Sequence, residues 1–214
     1  MSLSIPLFGS LPTVTPGAWR YARFSLLVAL PLVLISPPIA VGCLLAAIGV
    51  LWFHRDPKRS PPPSGIVAPA DGRVSVLRTE GDRVRVGVFM NVTDVHVNRA
   101  PCGGTVEAVE HTPGKHLPAF TKESERNERV RIDCGDTEVT LIAGAVARRI
   151  HPYVEAGDDV ERGDRIGHIS FGSRADVLLP PRYDEGDVRV AVGQHVRAGE
   201  TVVAARRSSK PASF

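Results

Sequence analysis

The hydrophobic and polar positions divide the chain into two unequal regimes. Residues 24–53 form an apolar stretch with no Asp, Glu, Lys or Arg, whereas the chain beyond residue 66 breaks into short apolar runs between polar turns. A helix needs about 20 residues to cross roughly 30 Å of hydrocarbon, so the first stretch is long enough to span a bilayer. Pro37 and Pro38 cut it in the middle, however, and each half alone then falls short of a full span. The stretch starts too far from the N-terminus, and lacks the small-residue cleavage site after it, to read as a signal peptide. Two arrangements stay open, a shallow hairpin in one leaflet or a single kinked and tilted span; a hairpin buried in a soluble core is disfavoured. Arg20 and Arg23 precede the stretch, and Arg55, Lys58 and Arg59 follow it. Basic flanks favour the cytoplasmic side, so the expected location is the cell membrane, with the polar domain facing the cytoplasm.

After the apolar stretch, the run DPKRSPPPSG (residues 56–65) keeps the backbone extended and predicts a linker. Beyond it, residues 73–77, 83–90, 130–132 and 138–142 are β-rich runs separated by Gly, Asp and Asn. Near the end, residues 157–169 (GDDVERGDRIGHI) and 193–204 (GQHVRAGETVVA) repeat a G-x-x-V-x-x-G-[DE]-x-[IV] spacing. This spacing predicts two hairpins of one design, with glycines supplying positive φ at the turns and Val160, Ile166, Val196 and Val202 facing one core. Paired units of this kind resemble the halves of lipoyl- or biotinyl-type domains, but neither repeat holds the lysine such carriers modify. The expected fold is mainly β: a small β-sandwich or barrel-sandwich-like domain over residues 66–214. Ahead of it come an N-terminal segment (1–23), the helical membrane segment (24–53) and a basic, Pro-rich linker (54–65).

Composition adds limits. At 214 residues and 43% hydrophobic, the chain has room for one modest globular core and an appendage. The net charge of +3 favours an anionic surface, yet arginines and carboxylates alternate instead of forming a tail, so no nucleic-acid partner is expected. Cys43, Cys102 and Cys134 form neither an even framework nor a metal-type pair, which points to a reduced compartment and no metal site.

Between the two repeats lies Phe171-Gly172-Ser173-Arg174, followed by a strand-like apolar run. Taken alone, the Gly-Ser pair is a turn. A serine hydrolase would need G-x-S-x-G at a strand-to-helix elbow, and the flanking residues do not supply it. Four further segments precede it in order: FHRDPKR (53–59), APADGRV (68–74), DVHVNRAPCGG (94–104) and NER (127–129). Together, over about residues 53–204, these resemble the phosphatidylserine decarboxylases. The short length, the N-terminal apolar segment and FGSR in place of LGST are similar to the short bacterial and archaeal subgroup, whose lipid is phosphatidylserine or archaetidylserine.

That resemblance implies self-cleavage between Gly172 and Ser173, with Ser173 converted into a covalent pyruvoyl cofactor. The ketone would form a Schiff base with the serine amine of a membrane phospholipid and act as the electron sink for decarboxylation. A large chain (1–172) and a small chain (173–214) would then stay associated, with homodimerisation left open. His96 is the first choice for acid–base work, and Asp71 matches the family's carboxylate that orients an imidazole. Longer members resemble D-Y-H-x-x-H at the His96 segment, with the second histidine assigned to self-cleavage and the first to decarboxylation; here Asp94 and His96 are present, but Arg99 takes the second place. Either His96 serves both reactions, or cleavage depends on strain at Gly172 with help from Asp71, Asp94 or another histidine. Arg99, Asn127 and Arg129 are candidate substrate-binding residues, with Arg129 suited to headgroup phosphate. His116 and His151 carry no motif support. The competing classes are a non-catalytic, membrane-tethered lipoyl-like adaptor and a decayed family member; retained scission at Gly172-Ser173 separates these from an active enzyme.

Overall fold

The computed structural model describes residues 13–15, 18–115, 117, 126–144, 149–170 and 172–206; His116 and Phe171 lie outside them. The chain divides into two compact units, residues 1–58 and 59–214, and the boundary falls inside the stretch read as a linker.

The first unit is a helical hairpin. Helix α1 (Ala18–Ile35) and helix α2 (Pro37–Phe53) are separated at Ser36, with Pro37 in the first turn of α2, where a missing N–H costs nothing. Strands β1 (Thr13–Val14) and β2 (Arg55–Asp56) pair antiparallel, Thr13 opposite Asp56, so entry and exit lie at the same end. The two helices thus fold back on one another instead of continuing as one kinked helix. One expectation is corrected: α1 begins at Ala18, not residue 24, and its 18 residues are long and apolar enough to cross a membrane. Arg20 and Arg23, good helix formers with long stems, are accommodated inside the helix. Phe24, Leu27, Leu30, Leu34, Ile39 and Leu45 are exposed along the two helices.

The second unit is mainly β, with open sheets packed as a sandwich. Its largest sheet has seven strands in the order β15 (His195–Val196), β4 (Gly72–Glu80), β5 (Arg83–Phe89), β14 (Arg174–Leu178), β10 (Thr137–Ile142), β9 (Arg129–Cys134) and β8 (Ala108–Thr112). Alternation gives this sheet an apolar face, on which Val84, Val86, Val88, Val130, Ile132, Val139, Leu141, Ala175 and Val177 are all buried. Its other face is charged. There the central strand carries a buried ion pair, Arg174 Nε to Asp176 Oδ1 at 2.8 Å. Burial pushes the Asp176 carboxyl above its ordinary value, the neighbouring arginines only partly opposing it.

Smaller sheets cover the apolar face. Strands β11 (Ile150–Pro152), β13 (Arg165–Ile169) and β6 (Val97–Arg99) form one; β12 (Asp159–Val160) pairs with β7 (Gly104–Thr105), and β16 (Val202–Ala204) with β3 (Ile66–Val67). The repeat glycines Gly157, Gly163, Gly193 and Gly199 all have positive φ, as their turns require. The hairpin reading of the repeats is corrected, since the two strands of each repeat pair with other segments, not with one another. Val202 is corrected too: a bulge between Val202 and Ala204 leaves Val202 half-buried and turns Val203 into the core.

Those other segments are themselves related. Gly157 N–H donates to the Val106 carbonyl and Gly163 N–H to Ala100, while Gly193 N–H donates to Val74 and Gly199 N–H to Ala68. Residues 68–74 (APADGRV) and 100–106 (APCGGTV) thus hold equivalent places and share the pattern A-P-x-x-G-x-V. The Pro-rich stretch is pinned to this frame, with Arg59 on Asp71 and the Pro62 carbonyl accepting from Arg162.

Candidate active site

Ser173 stands directly ahead of central strand β14 and is fully buried. The Met90 N–H, one residue past the end of β5, donates to the Ser173 carbonyl at 2.9 Å. Among the described residues the Ser173 hydroxyl has no hydrogen-bond partner. A buried hydroxyl left unpaired costs about 1–3 kcal/mol, so its position here does not favour stability. Before it, Gly172 sits at φ +68, and a Cβ built there meets nothing within 4 Å. Its need for glycine is one of backbone conformation, not of space.

The Ala-Asp-Gly segment braces the same place. A Cβ on Gly72 would lie 2.1 Å from the Phe89 carbonyl oxygen and 3.2 Å from Met90 Cα, so only glycine lets β4 start against the residue that anchors Ser173. Asp71 accepts from Arg59 Nη2 on both oxygens, at 2.9 and 2.8 Å, and from the Ala198 N–H at 2.8 Å.

His96 is buried, with Nδ1 2.9 Å from the Asp94 carbonyl oxygen. A carbonyl can only accept, so Nδ1 carries a proton, and Nε2 is the nitrogen left for proton exchange. The His96 carbonyl accepts from the Ile169 N–H, which ties this loop to the strand leading toward Gly172. Asp94 orients His96 through its main chain, while its carboxylate accepts from the Asn91 N–H and faces His195 Nε2 at 3.2 Å. His195 was not singled out from sequence, and Arg59 was read there as a basic flank of the apolar stretch; both lie in motif-bearing or repeated segments, but nothing local names their partners.

Of the remaining candidates, Arg99 and Asn127 hold backbone. Arg99 is buried and donates to the Gly163 carbonyl at 3.0 Å, at the turn of the first repeat. Asn127 accepts from the Leu117 N–H and donates to the Leu117 and Ala143 carbonyls, the last at 2.8 Å. Arg129 is half-buried and lines a cavity of about 410 Å³ on the charged sheet face, with Arg85, Arg131 and Arg174. Glu128 pairs with His111 at 2.9 Å. His151 is exposed and stacks on His168, whose Nδ1 lies 2.7 Å from the Tyr153 hydroxyl.

The Ala-Asp-Gly segment thus packs on the strand end that holds the buried Ser173, while Asp71 and Arg99 pair with other segments of the frame. Residues 47–204 match the family model described as phosphatidylserine decarboxylase. The chain belongs to the phosphatidylserine decarboxylase family. It is 63% identical over 190 residues to a Halobacterium salinarum protein provisionally named archaetidylserine decarboxylase proenzyme, covering 88% of this chain and 97% of that one. It is 53% identical over 197 residues to a phosphatidylserine decarboxylase proenzyme of Streptomyces avermitilis, covering 89% of this chain and 87% of the relative. The enzyme is accordingly a decarboxylase, and both relatives are named as proenzymes.

Proposed function

We propose that the enzyme cuts its own chain between Gly172 and Ser173, and then decarboxylates a serine phospholipid to the ethanolamine lipid with a pyruvoyl group made from Ser173. The observation that carries this reading is the fully buried Ser173 hydroxyl without a hydrogen-bond partner among the described residues, next to a left-handed glycine. The hydroxyl oxygen attacks the Gly172 carbonyl carbon, its proton passes to the Ser173 nitrogen, and the C–N bond gives way to an ester. Removal of the Ser173 Hα then expels the Gly172 carboxylate and leaves dehydroalanine at a new N-terminus. One water enters and ammonia leaves, which produces the ketone.

In the mature enzyme that ketone supplies an electrophile for the headgroup amine and draws off the electron pair released with carbon dioxide. His96 Nε2 is the acid–base nitrogen: it delivers the proton to the carbon left after decarboxylation and regains it from water. Arg129, on the charged sheet face, suits an anionic headgroup. The helical hairpin anchors the enzyme in the membrane, with both ends on the cytoplasmic side, where Arg55 and Lys58 favour anionic lipid by about 1 kcal/mol each. After cleavage the small chain keeps its place because β14 stays paired between β5 and β10.

The test is intact-mass analysis under denaturing conditions together with turnover of diacyl and ether serine phospholipids. Wild-type protein is expected as two fragments, the smaller blocked at its N-terminus, and Ser173→Ala as one inactive chain. Fully active material consisting of a single intact chain overturns the reading. The lipid turned over faster decides between the substrates named for the relatives.

A further inference from the structure

On the far side of the scissile bond, the structure packs a second glycine against the carbonyl to be attacked. The β10–β14 ladder ends with Ile142 opposite Arg174, and continuing its register brings Gly144 opposite Gly172. A Cβ built on Gly144 would lie 1.8 Å from the Gly172 carbonyl oxygen, 2.7 Å from its carbonyl carbon and 3.4 Å from the Ser173 nitrogen. No side chain fits in that space. The contact involves the carbonyl that is attacked and the nitrogen of the bond that breaks in the acyl shift, and no other glycine among the described residues has a closer built contact.

We infer that Gly144 is a positioning residue for self-cleavage: its bare Cα forms a wall that fixes the Gly172 carbonyl where the Ser173 hydroxyl can reach it. The inference rests on the self-cleavage reading above. The wall is itself held from both sides. Ala143 donates its N–H to the Glu128 carbonyl at 2.9 Å, and its carbonyl accepts from Asn127 Nδ2 at 2.8 Å. Asn127 and Glu128 belong to the Asn-Glu-Arg motif, which thereby gains a task distinct from substrate contact: it sets the strand extension that carries Gly144. Across the bond, the Met90 N–H holds the Ser173 carbonyl, so the cleavage site is clamped between extensions of the two strands that flank β14. Gly172 provides the contrast, because its built Cβ meets open space and its constraint is torsional.

In the step that Gly144 serves, the Ser173 oxygen bonds to the Gly172 carbonyl carbon, the hydroxyl proton moves to the amide nitrogen, and the amide bond becomes an ester. A Cβ at position 144 displaces the carbonyl, and misplacement by about 1 Å costs on the order of 10²-fold in such a step. Full-length wild-type, Gly144→Ala and Asn127→Asp chains are followed by denaturing gel and intact mass from synthesis onward, using the fraction that is folded by gel filtration and thermal melting. Each sample is also treated with neutral hydroxylamine, which cuts the ester and leaves a hydroxamate on Gly172. Gly144→Ala is expected to stay as the uncut chain at least about 10²-fold longer than wild type, without forming hydroxamate, since the block precedes the ester. Asn127→Asp, which removes the donor to Ala143, is expected to slow cleavage with the same hydroxylamine signature and supplies the answer if Gly144→Ala does not fold. Cleavage of folded Gly144→Ala at the wild-type rate, or accumulation of ester in either variant, overturns the inference. Wild-type protein that is never cut overturns the self-cleavage reading instead.

Discussion

Residues 68–74 and 100–106 follow the same course through equivalent turns, yet only the first brings a buried carboxylate to its turn. Where one has Asp71, bound to Arg59 and to the Ala198 amide, the other has Gly103. Near the paired turn glycines, Gly199 approaches the Cβ atoms of Arg59 and Arg99, whereas Gly163 packs on the ring of Pro61. The backbone frame thus forms without a carboxylate, and turn geometry does not account for Asp71. Its charge answers Arg59, which belongs to the FHRDPKR segment and is held by the frame in a place that excludes most solvent.

That comparison can be broken most forcefully at the charge. Asp71→Ala leaves the Arg59 guanidinium buried with, among the described residues, only the more exposed Glu200 at 3.5 Å, and should destabilise the domain by about 3–5 kcal/mol. Gly103→Ala, at the equivalent position, should cost under about 1 kcal/mol, because its Cβ needs only a small shift from the Val160 carbonyl. Denaturant midpoints of the two variants in detergent check the contrast; equal losses would mean that the frame, not the charge, sets stability.

The next effect distinguishes the central glycines of the same two segments. Gly72→Ala drives a methyl into the Phe89 carbonyl, whereas Gly104→Ala meets nothing within 4 Å. The first should lose about 2–4 kcal/mol and slow the appearance of the small chain, since it disturbs Met90; the second should lose about 1 kcal/mol and process normally. Melting temperature and the ratio of cut to uncut chain report both.

The smallest effect lies at Cys102, which stands where the first segment has Ala70. Burial, then the nearby Cys102, push the Cys134 thiol up to about 11. With the folded value above the unfolded one, the thiol's contribution is complete below pH 9.0 and is lost as pH rises through about 11. Cys134 should therefore alkylate slowly with iodoacetamide at pH 8, where only about a thousandth is thiolate. Cys102→Ala should shift that titration slightly downward, and a pH series of alkylation rates measures the change.

Much of this was legible in the chain. The runs at 73–77, 83–90, 130–132 and 138–142 became β4, β5, β9 and β10 with ends moved by at most three residues, because alternation and turn residues act locally. The helix break next to Pro37 was equally local. The two-residue strands were not legible as pairs, since each repeat strand finds its partner far away and no short-range pattern encodes the choice. The kinship of 68–74 with 100–106 was visible as A-P-x-x-G-x-V but acquired meaning only when both segments were seen holding equivalent turns.

The same division holds at the site. Sequence alone determined the motif order and the family, because residue types in a fixed order survive without coordinates. Tertiary structure decided that Asp71 answers a cation, that Asp94 serves His96 through a carbonyl, and that Gly144 faces Gly172. The Gly144 contact depends on the register between β10 and β14, where a shift of a single residue would bring a different residue opposite Gly172; the other two depend on where the fold holds Arg59 and how the chain turns at Asp94.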